Sequence, residues 1–297
     1  MATDKSSVFD RQSVWFVTGC STGFGRELAS QLLARGNSVV VTARNPESLS
    51  AFAGMTNALV LKLDVADAAA ITAAVQAAEA RFGRIDVLVN NAGIGYFAAV
   101  EEGEDAEIRR MFDINLFGLA AVIRAVLPGM RKLRQGFIVN VSSIGGLRSF
   151  PAIGWYNATK FAVEGLSEAL WQEVEPLGIR VMLVEPSGFR TDWAGRSADE
   201  SKIQIPDYAA TAGAGRAGVR ALSGRQAGDP VRAVEAIIKV VEGADPPHHL
   251  LLGNAAYAGA TAKLVELRDD YSKWEQVSRA ADFPTDISKT DQSKKVA

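Results

Sequence analysis

The sequence is poor in the residues that build covalent or metal cross-links. Its one cysteine, Cys20, excludes an intrachain disulfide and fits a reducing compartment. The first residues, MATDKSSVFDRQ, contain no apolar stretch of the kind that heads a secretory signal. A cytoplasmic location is therefore expected. The only two histidines, His248 and His249, are adjacent and have no third ligand candidate near them in sequence. A zinc site needs three or four ligands, so no metal is expected. The formal net charge is only −2, which argues against a nucleic-acid partner or an anionic membrane surface. No apolar run approaches the roughly 18 residues of a membrane span. There is no repeat of fixed period. Nor does an internal linker rich in proline, glycine or serine divide the chain, so a single domain is expected.

What is present is an alternation. Of the 297 residues, 48% are hydrophobic and 22% charged, enough apolar material for a large core. Short apolar runs at residues 14–18, 38–43, 59–63, 85–90, 136–141, 179–184 and 249–252 read as strands. Continuous apolar runs of that length suit strands buried on both faces of a parallel sheet. Helical patterns lie between them at 23–35, 67–82, 105–131, 155–176 and 230–242. The rhythm predicts an α/β, doubly wound parallel sheet of about seven strands with helices on both faces. A polar arm is expected over residues 1–12, the catalytic domain over 13–283 and a flexible tail over 284–297. Residues 188–228 break the rhythm: they hold six glycines after Gly188 and little strand pattern. An irregular excursion at a strand end predicts a substrate lid.

Between the first strand and first helix runs Thr18-Gly19-Cys20-Ser21-Thr22-Gly23-Phe24-Gly25. Glycines let a backbone approach a pyrophosphate, and a helix N-terminus offers free N–H groups there. The spacing is G-x-x-x-G-x-G, and a tight strand-to-helix turn would use the same residues. At the end of the second strand, Ala43-Arg44 stands where an acidic residue would hold the ribose hydroxyls of NAD. An arginine there suits the 2′-phosphate of NADP, which makes NAD the less favoured cofactor.

Tyr156 and Lys160 are four residues apart, on one face of a helix. An ammonium beside a phenol stabilises the phenolate, so the pair can exchange a proton with a carbonyl or alcohol oxygen. Upstream, a strand ends at Ser142-Ser143, where a hydroxyl could orient that oxygen.

These motifs together resemble the short-chain dehydrogenase/reductase family, in its single-domain branch of about 250 residues. The resemblance runs from about residue 14 to 253. It rests on Thr18, Gly19, Gly23 and Gly25; on Asp64-Val65; on Asn90-Asn91-Ala92-Gly93; on Asn115; and on Tyr156 with Lys160. The family's serine stands thirteen positions before the tyrosine, which selects Ser143. The resemblance implies Tyr156 as general acid/base, Lys160 lowering its pKa and holding the nicotinamide ribose, Ser143 orienting the substrate, and Asn115 supporting a water chain. It implies cofactor contacts at Gly19, Ser21, Gly23, Phe24, Gly25, Arg44, Asp64, Val65, Asn91, Ala92, Gly93, Tyr156, Lys160, Pro186, Gly188 and Thr191. One position departs: Ser187 stands where the family has glycine. The turn and Arg44 look like NADP-preferring members acting on apolar ketones or alcohols. A homodimer or homotetramer is implied by the same likeness.

Cys20, inside the phosphate-binding turn, reads as a small filler and not a nucleophile. Tyr96, Phe97, Phe150, Trp155 and Trp193 are candidates for a pocket wall or for core. Ala158, Ala162, Gly165 and Ala169 form a small-residue stripe that close packing on the sheet would explain. Three other functions compete: a nucleotide-sensing protein without chemistry, an extended-branch epimerase or dehydratase, and an enoyl reductase. Intact Tyr156, Lys160, Ser143 and Asn115 disfavour the first. The glycine spacing disfavours the second, and the tyrosine-to-lysine spacing the third.

Overall fold

Strand β1 (Val14–Val17) is buried along its whole length, as are β2 (Ser38–Ala43) beyond its first residue and β4 (Val87–Asn90). They are central strands of a seven-stranded parallel sheet completed by β3 (Ala58–Lys62), β6 (Gly136–Val141), β7 (Ile179–Pro186) and β9 (His249–Leu252). The computed structural model describes residues 9–283 apart from 11 and 196. Most of the expected N-terminal arm and all of the expected tail lie outside those residues.

The strand order is β3-β2-β1-β4-β6-β7-β9. It reverses direction between β1 and β4, where ligands bind in open α/β sheets. One face of the sheet packs on α1 (Gly23–Arg35) and α7 (Pro230–Val241) through Leu28, Leu32, Val234 and Ile237. The other packs on α2 (Ala68–Phe82), α4 (Leu119–Leu133) and α5 (Gly154–Val174) through Ile71, Val75, Val122, Val126, Val163 and Leu170. This is the Rossmann-type arrangement the alternation predicts.

Local chemistry ends the helices. Asp67 caps α2 by accepting from the N–H groups of Ala69 and Ala70. Gly36 closes α1 in the left-handed region at φ 93°, returning its N–H to Leu32 and Leu33.

The helix read over 105–131 is a composite. After α3 (Asp105–Phe112) the backbone passes through a π-helical turn, Asp113–Gly118, before α4 begins. Such insertions concentrate at functional sites, and this one carries Asn115. By length and composition the stretch Asp105–Leu133 could cross a bilayer. Its apolar stripe, including Met111, Val122, Val126 and Met130, is buried in the protein.

Residues 188–228 are more ordered than their glycine content implies. They contain β8 (Ala198–Glu200), paired in parallel with β5 (Gly95–Phe97), and α6 (Ala214–Ala221). Of the glycines there, only Gly224 has positive φ, at 76°. Gly215 and Gly218 sit within α6. The segment is also clamped at its base, where the Gly228 N–H donates to Gly188 O and the Arg190 N–H to Gly228 O. A further helix, α8 (Asn254–Lys273), is absent from the sequence reading, and α9 (Glu275–Arg279) follows it. Along α8 only Ala256 and Ala260 are buried, so no apolar stripe announces the helix.

Candidate active site

The glycine turn is held by a strand away from it. Asn91 follows β4, and its side-chain amide donates to the carbonyls of Thr18 and Gly19 at 2.9 and 3.0 Å. The Thr18 hydroxyl in return accepts from the N–H groups of Asn91 and Ala92. Asn91 thus acts first on the turn's shape. Gly19 has φ 72°, and a Cβ there would lie 2.9 Å from Ala92 Cα. A Cβ on Gly25 would collide with the Gly19 carbonyl and lie 2.5 Å from the Asn91 amide. Both glycines are required for close approach. Thr22 at the N-cap of α1 makes no side-chain cap, so the first-turn N–H groups remain available to an anion. Cys20 is fully buried, and burial pushes its thiol up to about 12, which suits an inert filler.

A cleft of about 790 Å³ opens above this turn. Gly19, Ser21, Gly23, Phe24, Arg44, Asp64, Val65, Asn91, Ala92, Gly93, Ser143, Tyr156, Lys160, Pro186, Gly188 and Thr191 all line it. Arg44 is exposed at its rim. The cradle of glycine backbone, the uncapped helix end and the arginine fit a dinucleotide.

Gly25 and Asn115 are the exceptions: Gly25 is buried behind the turn against the Gly19 carbonyl, and Asn115 lies beneath the cleft, fully buried. Its side chain accepts from the Ile94 N–H at 2.8 Å and donates to Ile94 O at 2.9 Å and to the Thr159 hydroxyl at 3.2 Å. It therefore fixes the loop after β4 to α5 beside Lys160, without touching Lys160.

The serine pair is resolved by direction. Ser142 is buried and donates to the Glu164 carboxyl. Ser143 is half-buried, caps the short turn that follows by accepting from the Gly145 N–H at 2.9 Å, and faces Tyr156. Lys160 donates to Val141 O at 2.8 Å, and its Nζ lies 5.7 Å from the centroid of the Tyr156 ring. The expected depression of the phenol's pKa is not seen. Burial dominates and pushes Tyr156 up to about 12, opposed by the Ser143 hydrogen bond. Burial also pulls Lys160 down to about 8, opposed by the charge of Glu164. At neutral pH the site thus holds a neutral phenol beside an ammonium.

Of the aromatic candidates, Trp193 and Phe150 line the cleft. Tyr96 and Phe97 are core instead, and Trp155 turns away to donate its indole N–H to Val100 O. The remaining wall is largely apolar, with Ile144, Ile153, Phe189, Val219 and Leu222. The small-residue stripe does not pack on the sheet: Ala158, Gly165 and Ala169 are exposed. Ser187 bonds away from the cleft, to Leu252 O at 3.3 Å, over Gly253, whose φ of 92° and missing Cβ leave room for the hydroxyl.

Sequence offers no third ligand candidate beside the two histidines; the sheet brings acidic groups to His249 from a distance. Pairing of β7 with β9 brings Glu185 to it, with His249 Nδ1 2.5 Å from Glu185 Oε1, and Glu164 Oε2 lies 3.9 Å away. A glutamate after the apolar run at 181–184, and another one turn beyond Lys160, are the signals that could have exposed this cluster. Its closest contact is an acid–imidazole hydrogen bond.

Comparison with known proteins agrees with this geometry. The family model for short chain dehydrogenases matches residues 13–202. Oxidoreductase BOA17 of Botryotinia fuckeliana is 38% identical over 273 residues, covering 90% of this chain and 98% of its own. A 3-ketodihydrosphingosine reductase of Bacteroides thetaiotaomicron is 41% identical over 194 residues, covering 65% of this chain and 70% of its own. The crystal structure of a short-chain dehydrogenase from Streptomyces avermitilis superposes with a TM-score of 0.85 at 42% identity, covering 92% of this chain and 100% of that one. With the glycine turn, the Ser–Tyr–Lys grouping and the parallel sheet in one molecule, the chain belongs to the short chain dehydrogenase family of oxidoreductases.

Proposed function

We propose that the protein is an NADP-dependent oxidoreductase that transfers a hydride between the cofactor and a carbonyl/secondary alcohol pair. The carbonyl side is an apolar ketone or aldehyde. The observation that carries this is the placement of Tyr156 and Ser143 in one continuous cleft, between the glycine turn and an apolar wall.

Bound NADPH would supply the hydride. The glycine turn and the N-terminus of α1 would take its pyrophosphate, Arg44 its 2′-phosphate, and Lys160 with Thr191 the nicotinamide end. Ser143 donates to the carbonyl oxygen and orients it. Tyr156 gives its proton to that oxygen as the C–O bond becomes an alkoxide, so one hydride and one proton make the alcohol. Lys160 stabilises the resulting phenolate. The neutral phenol holds the proton that reduction consumes, and the same residues run in reverse for alcohol oxidation. Trp193, Phe150, Val219 and Leu222 would bury the apolar part of the substrate. A relative named for reducing a ketone is consistent with that choice.

Exposed small residues on α5, beside exposed Phe161 and Leu166, would let two copies meet along that helix; sedimentation of the purified protein reads the mass directly. The activity is tested by NADPH consumption with a panel of apolar ketones, aldehydes and keto esters, and by NADP⁺ reduction with secondary alcohols. Turnover with any of them, absent in Tyr156→Phe, supports the reading. Tight NADPH binding with no turnover across the panel would replace it with a nucleotide-sensing role.

A further inference from the structure

Next to the catalytic grouping, outside the residues that line the cleft, lies a polar cluster that the hydride-transfer chemistry does not use. Glu164 is one helical turn beyond Lys160, on the same face. Its Oε1 accepts from Ser142, the neighbour of Ser143. Glu185 is wholly buried in β7, and His249 in β9 is half-exposed. One oxygen of each carboxyl, Glu164 Oε2 and Glu185 Oε2, is buried without a hydrogen-bond partner. One atom from each of the three side chains lies within 4.8 Å of the others. Two carboxyl groups this close, away from water, cannot both be anionic without a proton or cation between them.

We propose that Glu164 is the positioning residue that holds the charge of Lys160, and that the Glu185–His249 pair sets whether Glu164 is itself ionised. Ser142 ties the same carboxyl to the loop that carries Ser143, so a single group braces both partners of Tyr156. The groups facing Glu164 are Lys160 on its own helix, Glu185 on β7 and His249 on β9, with Glu168 acting on His249.

The directions agree with this arrangement. Glu164 is held up at about 7 in all: burial is the main cause and the charge of Glu185 adds to it, while Ser142, His249 and Lys160 pull it down. The hydrogen bond to Glu185 holds His249 above the ordinary imidazole value. A protonated His249 offsets the repulsion of Glu164 by Glu185 and so eases the ionisation of Glu164. Ionised Glu164 opposes the burial that would otherwise strip Lys160 of its proton. Losing Glu164 therefore moves the Lys160 titration to lower pH. Losing His249 does the same less strongly, because Glu164 then stays protonated to higher pH. Losing Glu185 removes a repulsion from Glu164 and should not move Lys160 down.

The proposal rests on the proposed function only for its kinetic readout. The direct readout is imidazole C–H NMR of the full-length protein, whose two histidines are assigned with His248→Gln. The His249 signal should titrate above the ordinary imidazole range in wild type and fall into or below it in Glu185→Gln. An ordinary His249 titration in both would overturn the coupling, even if the enzyme turned over nothing.

The kinetic readout is the alkaline limb of kcat/KM for ketone reduction. Glu164→Gln should move it to lower pH by at least about half a unit, a threefold change in acidity. Glu164→Asp should restore it, His249→Gln should shift it part of the way, and Glu185→Gln should not lower it. A Glu164→Gln enzyme that is slower at every pH with an unmoved limb would reduce Glu164 to packing. Should that variant not fold, the half-exposed His249→Gln decides, since an unmoved limb there overturns the proposal. Selective broadening of the His249 signal by micromolar Mn²⁺, lost in Glu185→Gln, would also overturn it in favour of a cation site.

Discussion

The indole of Trp193 lies over the ring of Tyr156, with centroids 4.8 Å apart and planes tilted by 55°. A second edge contact, to Phe97 at 5.7 Å, holds the indole in place. Trp193 thus joins the 188–228 segment to the phenol of Tyr156 and shields it from water. Aromatic pairs contribute about 0.5–1.5 kcal/mol beyond area burial. Trp193→Ala should therefore cost about three- to tenfold in kcat/KM for an apolar ketone. It should also bring the phenol pKa down from about 12, because desolvation is the main cause of the rise. A phenolate difference spectrum between Trp193→Ala and the double variant with Tyr156→Phe reads the second effect. An unchanged phenol would mean that something other than the indole keeps it dry.

Tyr156→Phe deletes one hydroxyl and leaves the ring stack. A positioned general acid contributes about 10²–10⁴-fold. The variant should lose at least a hundredfold in kcat, while its affinity for NADPH stays within about threefold of wild type, since most cofactor contacts lie elsewhere along the cleft. Steady-state rates with cofactor fluorescence titration check both. A variant keeping more than about a tenth of wild-type kcat would remove Tyr156 from the proton donor's role.

Much of this was legible from local pattern. The strands at 38–43 and 136–141 coincide with β2 and β6 because a strand buried on both faces is a continuous apolar run, and the run at 249–252 coincides with the edge strand β9. The glycine turn, Tyr156 and Lys160 sit in short motifs whose spacing survives folding. What was not legible depends on long-range placement. Glu164, Glu185 and His249 are brought together only by the pairing of β7 with β9 and the packing of α5 on β7. Sequence leaves Phe97 open as pocket wall or core, and only the β5–β8 ribbon places it in the core. Helix α8 buries only two alanines, so its periodicity was too faint to read.

Glycines in this chain divide into two kinds, and alanine separates them. At Gly25 the added methyl meets the Gly19 carbonyl and the Asn91 amide, neither of which can move without opening the turn. Overpacking of this kind costs about 1–3 kcal/mol, and NADPH binding should weaken with it. At Gly218, inside α6, nothing lies within 4 Å of the new methyl. Alanine there should stabilise by up to about 1 kcal/mol through helix propensity, raising Tm by about 2–4 °C. Thermal melts with and without NADPH test both. A Gly25→Ala protein with wild-type Tm and cofactor affinity would show that the turn can relax.

The cofactor preference turns on two residues at the end of β2. Ala43 offers no carboxylate to hold ribose hydroxyls or repel a phosphate, and the adjacent Arg44 is exposed at the cleft rim. Arg44 forms no ion pair with any described residue, so its guanidinium is available to an incoming anion. A charge-assisted hydrogen bond is worth about 1.5–3 kcal/mol, or about ten- to hundredfold in affinity. Solvent and salt screen an exposed pair, which places the expected preference for NADPH over NADH near the lower end. The preference should also shrink as salt rises, whereas one set by shape alone would not. Ala43→Asp with Arg44→Ser should reverse it: the new carboxylate accepts the ribose hydroxyls of NADH and repels the 2′-phosphate of NADPH. Measuring kcat/KM for both cofactors, in wild type and the double variant at low and high salt, decides the matter. A wild-type enzyme that favours NADH would leave Arg44 as a surface residue and move cofactor selection to another part of the cleft.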